Sequence, residues 1–502
     1  MKSLLALPVT DTGHTIGLVV MYTYFVVLGV LCLYGFHRYL MVYLYYRHAK
    51  RDPKVEKIFE NLPHVTVQLP IFNEMYVAER LIDASCLIDY PREKLQIQVL
   101  DDSTDETVDV ASKKVDEWKA KGVDIEYIHR SDRTGYKAGA LDHGLKTAKG
   151  DFVALFDADF VPQPDFLYKT IHYFTEEKVG CVQARWGHIN KEYSFLTRLQ
   201  SMFLDGHFMM EHAARNRGGR FFNFSGTAGM WRKSTISDAG GWQHDTLTED
   251  LDLSFRAQLR GWRFIFLPWV VTPAELPVDM NGFKSQQHRW VKGSMQTSKK
   301  LLGDVLQARI PFHVKTEAAL HLTGNTAYIL TLLLTLMLFP VTYFRPKLDM
   351  KTSVLLDLAV FALATLSVCI FYLASQREIY GWRGVVRTIF YTPFLLAMGI
   401  GMCVSNARAV FEGFFTRGGE FVRTPKYALS ANKDSFVSKK YKVTLKRFLP
   451  LIELAIGLGF GWVIYYSFSH EMYGAIPFQM LFFTGFTYVA FLSLFQGKLT
   501  SR

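Results

Sequence analysis

Three acidic clusters and one basic stretch carry the residue types that chemistry on a charged leaving group would need. In "FDADF" (156–160), Asp157 and Asp159 place two carboxylates on alternate residues at the end of an apolar run. Oxygen ligands of this kind suit Mg2+ or Mn2+ already bound to a diphosphate. The plain alternative is a polar strand end before the turn "VPQP". "LDDST" (100–104) repeats the arrangement, with Asp102 or Ser103 equally suited to cap the next helix. In "RTGYKAGAL" (133–141), Lys137 and two glycines stand at a loop-to-helix transition. Such a place suits a phosphate, or is simply the basic first turn of a surface helix. Asp250 follows Thr248 and Glu249 in "TLTEDLDLSFR" (246–256), at the start of a helix. Acidic residues favour that position on electrostatic grounds, and it would also hold a catalytic base firmly beside an acceptor. A further stretch, "FKSQQHRWVKGS" (283–294), gathers glutamines, a histidine, an arginine and a tryptophan. Alone it reads as an amphipathic helix resting on a membrane.

The elements around these clusters alternate. "HVTVQLP" (64–70), "LQIQVLDD" (95–102), "DIEYIH" (124–129) and "DFVALFDAD" (151–159) are β-rich, and helical stretches 76–88, 104–121 and 137–148 separate them. This is the rhythm of an open, mostly parallel sheet with crossover helices, in which ligands bind beyond the carboxyl ends of the strands. The acidic pairs fall at those ends.

Long apolar runs flank this region. Residues 16–46 exceed the roughly 20 residues that cross a bilayer, and the basic "RHAKRDPK" that follows points to a cytoplasmic exit. No small-residue cleavage site follows it, so a signal peptide is not expected. Further spans are expected at about 318–344, 353–375, 449–469 and 476–496. Segment 385–411, interrupted by Arg387, Pro393, Asn406 and Arg408, is read as an interfacial helix. Crossing there would put the basic loop 412–447 outside, against the positive-inside rule. The expected organisation is residues 1–50 as an N-terminal span, 51–310 as a cytosolic α/β domain, and 311–502 as the remaining membrane region. That gives five crossings, with the N-terminus out and the C-terminus in. Segments 190–215, 283–303 and 385–411 are expected to form a collar against the bilayer. His321, Asn325, Tyr328, Tyr465 and Tyr466 either line a channel or serve helix packing.

The 502 residues carry a formal charge of +11, with 49% hydrophobic and 21% charged residues. No arginine- or lysine-rich pattern for nucleic acid is present, so the basic balance points to lipid headgroups or phosphates. Five scattered cysteines without a CxxC pair support neither a zinc site nor a disulfide framework.

The stretches "LPIFNE", "LDDST", "GYKAGAL", "FDADF", "VQARW", "NFSGTAG", "TEDLDL" and "QQHRW" occur in the order seen in inverting family 2 glycosyltransferases. The chain resembles the cellulose synthase superfamily, most closely the plant cellulose synthase-like A and C groups. "FVRTPK" (421–426) resembles the gating loop of these synthases. The resemblance implies a GT-A, Rossmann-like cytosolic domain inserted in an all-α membrane domain with interfacial amphipathic helices. It implies Pro70, Asn73, Glu74 and Asp102 at the nucleotide, Lys137 at the diphosphate, and Asp157 and Asp159 at the metal and diphosphate. It further implies Asp250 as the general base, Gln286 and Arg289 on the donor side, Glu249 and Trp290 at the acceptor, and Phe421, Thr424 and Lys426 in the gating loop. His288 matches nothing fixed in the pattern. Arg423 stands where bacterial cellulose synthases have valine.

Three functions then compete. The first is a processive β-glycan synthase using UDP- or GDP-hexose, with Mg2+ or Mn2+, making a 1,4-linked mannan, glucomannan or glucan and moving it across the membrane. The second adds one sugar to a lipid acceptor. The third, a non-catalytic scaffold, is disfavoured because every acidic motif is intact. The expected partners are the nucleotide sugar, the growing glycan or lipid, and the bilayer, with no nucleic acid. Homo-oligomerisation stays open. The expected membrane is the inner or plasma membrane, or the Golgi membrane in a eukaryote.

Overall fold

A computed structural model describes residues 11–348, 360–419, 422–429, 439–441 and 448–499. They divide into two compact units. One comprises Met1–Leu40, Gly324–Val410 and Leu445–Gln496, and the other is chiefly Met41–Thr323 and Phe411–Thr444. The described part of segment 412–447, expected as part of the membrane region, therefore clusters with the α/β unit.

Among the described residues, five helices are long and apolar enough to cross a membrane: Thr12–Arg47, Phe312–Phe344, Leu363–Gly401, Phe448–Ser469 and Tyr473–Gln496. The first belongs to helix α1 (Asp11–Arg47). Its Met21, Tyr24 and Leu28 pack on Val341, and Tyr34 Oη lies 2.8 Å from Thr326 Oγ1. Tyr466 is buried and stacks on His470 with ring centroids 4.1 Å apart. The third candidate runs through Leu366–Gly401 into Cys403–Phe415, and Met402 between them keeps helical backbone angles (φ −78°, ψ −10°) with its N–H donating to Met398 O at 3.0 Å. Leu366–Gly401 itself breaks at Gly381, whose φ of 64° and ψ of −154° are open to glycine at little cost. Residues 349–359, which include the start of the expected span 353–375, lie outside the described residues.

In the α/β unit, strands β1 (Val65–Ile71), β2 (Leu95–Asp101), β3 (Ile125–His129), β4 (Phe152–Leu155), β5 (Val179–His188), β6 (Gly229–Arg232) and β7 (Arg263–Ala274) form one sheet. Their order is β3-β2-β1-β4-β6-β5-β7. Pairing is parallel except for β6, which runs antiparallel to both neighbours. Helices α2 (Met75–Cys86), α3 (Thr107–Ala120) and α4 (Tyr136–Leu145) make the first crossovers. Helix α2 buries Val77, Ala78, Leu81, Ile82 and Cys86, the apolar stripe of a core-facing helix. Both faces of β1 and β2 are covered, although their sequences alternate polar and apolar residues. The polar side is paired internally: Thr66 Oγ1 donates to Gln96 Oε1 (2.9 Å), Gln68 Nε2 to Gln98 Oε1 (3.0 Å), and Gln98 Nε2 to Thr147 Oγ1 (2.9 Å).

The rest of the unit follows as α5 (Phe166–Ile171), α6 (Phe195–Gly206), a π-helical turn (His207–His212), α7 (Ala213–Arg217), α8 (Lys233–Asp238), α9 (Glu249–Leu259) and α10 (Met280–Gln307). A buried ion pair ties α7 to the helix Phe312–Thr323: Arg215 Nε lies 2.9 Å from Glu317 Oε1, and both side chains are 2% exposed. Glu211 shares the same guanidinium, 3.3 Å from Nη1.

Candidate active site

The loops after β1, β2 and β4 reach one end of the sheet and open into a single cleft there. The "DD" pair at the end of β2 divides its work. Asp101 is fully buried, accepting Tyr127 Oη–H at 2.6 Å and the Ser103 N–H at 2.9 Å. Asp102 lines the cleft and is forked by Arg130, at 2.8 Å from Nε and 2.6 Å from Nη2. Neither Asp102 nor Ser103 caps α3. Asp105 Oδ1 accepts the Thr107 N–H at 3.0 Å instead. Pro70 and Glu74 line the cleft, but Asn73 is not among the lining residues. Asn73, at φ 51°, ties the two loops together: its N–H donates to Ser103 Oγ (2.7 Å) and its Oδ1 accepts the Thr104 N–H (2.8 Å). Arg133 stacks 3.3 Å over the Phe72 ring, and both face the cleft.

Asp157 and Asp159 follow β4. Each faces a cation of the chain: Asp157 pairs with Lys137, and Asp159 Oδ2 lies 2.7 Å from Lys426 Nζ. Lys137, in the first turn of α4, also donates to Gly226 O at 2.9 Å and lies 3.9 Å from Glu249 Oε1. Burial works against its charge, but Asp157 and Glu249 together hold its ammonium above the ordinary lysine range. Burial pushes the Asp157 carboxyl up, with Lys137 pulling the other way. Gly226 has a φ of 80°, and a Cβ there would sit 3.1 Å from Asp250 Oδ2 and 3.6 Å from Lys137 Nζ. The glycine thus lets the backbone come between Asp250 and Lys137.

Asp250 lies in the first turn of α9, its Oδ1 accepting the Leu251 N–H at 2.8 Å. Burial first, then the adjacent Glu249, push its carboxyl up to about 7, while Lys137 and Arg289 pull it down. Burial also raises Glu74 to about 7, against the Arg423 guanidinium. Opposite stands α10, opened by Asp279, whose Oδ1 accepts the Gly282 N–H at 2.8 Å. Gln286, Arg289 and Trp290 all line the cleft, as their i, i+3, i+4 spacing on one helix face requires. His288 turns elsewhere, its Nε2 lying 3.2 Å from Glu412 Oε2. The Trp290 ring stands 6.3 Å from Trp186, which also contacts Phe160 and Phe208.

The strap 422–429 closes one side. Arg423, Thr424 and Lys426 line the cleft, while Phe421 lies outside the described residues. The Tyr427 N–H donates to Glu275 Oε1 at 2.8 Å, its Oη–H donates to Tyr441 O at 2.6 Å, and Lys426 donates to Glu275 O. Arg423 stacks 3.8 Å over Tyr441. Of the expected site residues that are described, all but Asn73 thus meet in one cleft. Arg133, His188 and Glu275 join them without having been singled out, and Arg130 holds Asp102 from outside the lining. Trp186 belongs with them too; its place in "VQARW" was a signal that carried no role.

Among the described residues no group of three or more His, Cys, Asp or Glu side chains converges. Asp157 and Asp159 alone would hold a divalent cation here, the sparse carboxylate set that suits Mg2+ rather than a closed protein cage.

A family profile described as "Glycosyltransferase like family 2" matches residues 63–293. Glucomannan 4-beta-mannosyltransferase 7 of Arabidopsis thaliana is 33% identical over 424 residues, covering 82% of this chain and 73% of that protein. Glucomannan 4-beta-mannosyltransferase 9 of the same plant is 32% identical over 442 residues, covering 83% and 79%. Both matches run well beyond 63–293. Among solved structures, the mannosyltransferase PcManGT from Pyrobaculum calidifontis, in complex with GDP-Man and Mn2+, aligns at 20% identity. The TM-score is 0.46, and the alignment covers 71% of this chain and 99% of that one.

Proposed function

Because the chain belongs to glycosyltransferase family 2, in the cellulose synthase-like group of the glucomannan 4-β-mannosyltransferases, we propose that it polymerises hexose from GDP-mannose or UDP-glucose into a β-1,4-linked glycan. Mannose is the first choice of sugar, since both relatives with long matches are mannosyltransferases by name. The reading includes passage of the product across the membrane, with the α/β unit on the cytosolic side, where the basic segment 412–447 is expected. The observation that carries it is the convergence of Asp250, the Lys137–Asp157 pair, Arg289 and Trp290 on one cleft.

The reaction is a single displacement. Trp290 offers a ring face to the acceptor sugar, as aromatic side chains do for apolar faces with polar edges. Asp250, in its ionised form, takes the proton of the acceptor hydroxyl, and that oxygen attacks the anomeric carbon. The C1–O electron pair leaves with the nucleotide diphosphate, and an α-linked donor becomes a β-linkage. Lys137, Arg289 and Lys426 are fixed cations aimed at the departing charge, the arrangement that stabilises a transition state without reorganisation. Asp157 and Asp159 would hold Mg2+ or Mn2+, which supplies further neutralisation of the diphosphate when bound. Asp102 with Arg130, and Phe72 with Arg133, would frame the nucleoside.

Purified full-length protein incubated separately with radiolabelled GDP-mannose and UDP-glucose tests this reading. A high-polymer product is expected, and a lipid carrying a single sugar would overturn it. Chelation by EDTA should stop incorporation, with Mg2+ or Mn2+ restoring it. Transfer that persists in chelator would remove the metal from the scheme.

A further inference from the structure

Beyond Trp290 the cleft continues to Trp186 and His188, both on β5. Residues two apart on a strand share a face and stand roughly 6.6 Å apart, about the length of one hexose. The Trp186 ring is accounted for by Phe160, Phe208 and Trp290. Its N–H is not: Nε1 is buried without a hydrogen-bond partner among the described residues. His188 repeats this. Its side chain is 4% exposed, and neither ring nitrogen has a hydrogen bond among the described residues. Asp205, 1% exposed on α6, lies 3.4 Å from Nε2 and 4.0 Å from Arg185 Nη1. The carboxylate favours a proton on Nε2, which leaves Nδ1 as an acceptor. Buried polar groups are nearly always paired, and unpaired ones in a binding cleft ask for a partner.

We propose that Trp186 and His188, the latter backed by Asp205, form a second acceptor subsite for the hexose that precedes the one on Trp290. Trp186 Nε1 donates to a ring or hydroxyl oxygen of that sugar, and His188 Nδ1 accepts from one of its hydroxyls. The inference rests on the polymerising reading above and specifies its acceptor: a chain of at least two sugars is taken better than a single one.

The test compares monosaccharide and disaccharide acceptors of the donor's own sugar, using the full-length protein. The wild type should show a higher kcat/KM with the disaccharide. Trp186→Phe, which keeps the ring, and His188→Leu should each lower that preference about five- to tenfold without changing the KM for donor. His188→Asn, which keeps an acceptor, should recover part of it. An unchanged preference in both variants overturns the subsite, as does a wild type indifferent to acceptor length. Equal losses on both acceptors with a raised donor KM would assign the two residues to packing and overturn it too. A wild type that extends no oligosaccharide and labels only lipid is the distinct failure of the polymerising reading, and takes the subsite with it.

Discussion

Asp250 is pulled two ways: burial and Glu249 favour its protonated form, while Lys137 and Arg289 favour the carboxylate. A base works only unprotonated, so activity is present above its pKa and falls as pH drops through it. The expected acid limb of kcat/KM has its midpoint near 7, where the Asp250 carboxyl stands. Asp250→Asn should cost about 10²–10⁴-fold in transfer while nucleotide binding, measured by titration, survives. Turnover like that of the wild type would end the assignment. Glu74 stands near the same pH, so the limb should persist in Glu74→Gln if Asp250 is its source.

At the scale of elements, the strap depends on one buried carboxylate. Glu275, at the β7 end of the sheet, accepts the Tyr427 N–H at 2.8 Å, and its Oε2 lies 3.5 Å from Arg80. Glu275→Ala is expected to raise the donor KM about tenfold, more than it lowers kcat, in steady-state assays. A larger effect on kcat would mean that the strap acts in the chemical step itself. Glu275 was illegible in the sequence because its partners lie 195 residues upstream and 152 residues downstream, and nothing local marks such pairings. The acidic strand ends and the 286–290 face were legible because period-2 and period-3.6 spacing place residues without tertiary knowledge. β6 is only four residues long, too short for periodicity to announce, so the antiparallel pairing it introduces could not be foreseen. The break at Gly381 was illegible for another reason: a single glycine within a helical run carries no mark that the backbone leaves the helix there.

At the scale of the molecule, charge is buried where a hydrophobic core would suffice for stability alone. Arg215 and Glu317 are each 2% exposed and 2.9 Å apart. Arg215→Met should lower stability by about 3–5 kcal/mol, because Glu317 is left without its main partner. Arg215→Met combined with Glu317→Leu should recover most of that loss, read as the thermal midpoint of the purified protein. No recovery would show that the pair does more than balance itself. The glutamine seam between β1 and β2 has a different reach. Thr66 faces Gln96 and Gln68 faces Gln98, so the two strands carry matched notches, like a key cut for one depth. A slip of two residues would strand at least one buried amide, at about 1–3 kcal/mol. It would also move Asp102 by about 6.6 Å relative to the loop that carries Glu74. The relative alignment of the loops that carry Asp102 and Glu74 is thereby held by side chains that lie outside the cleft lining.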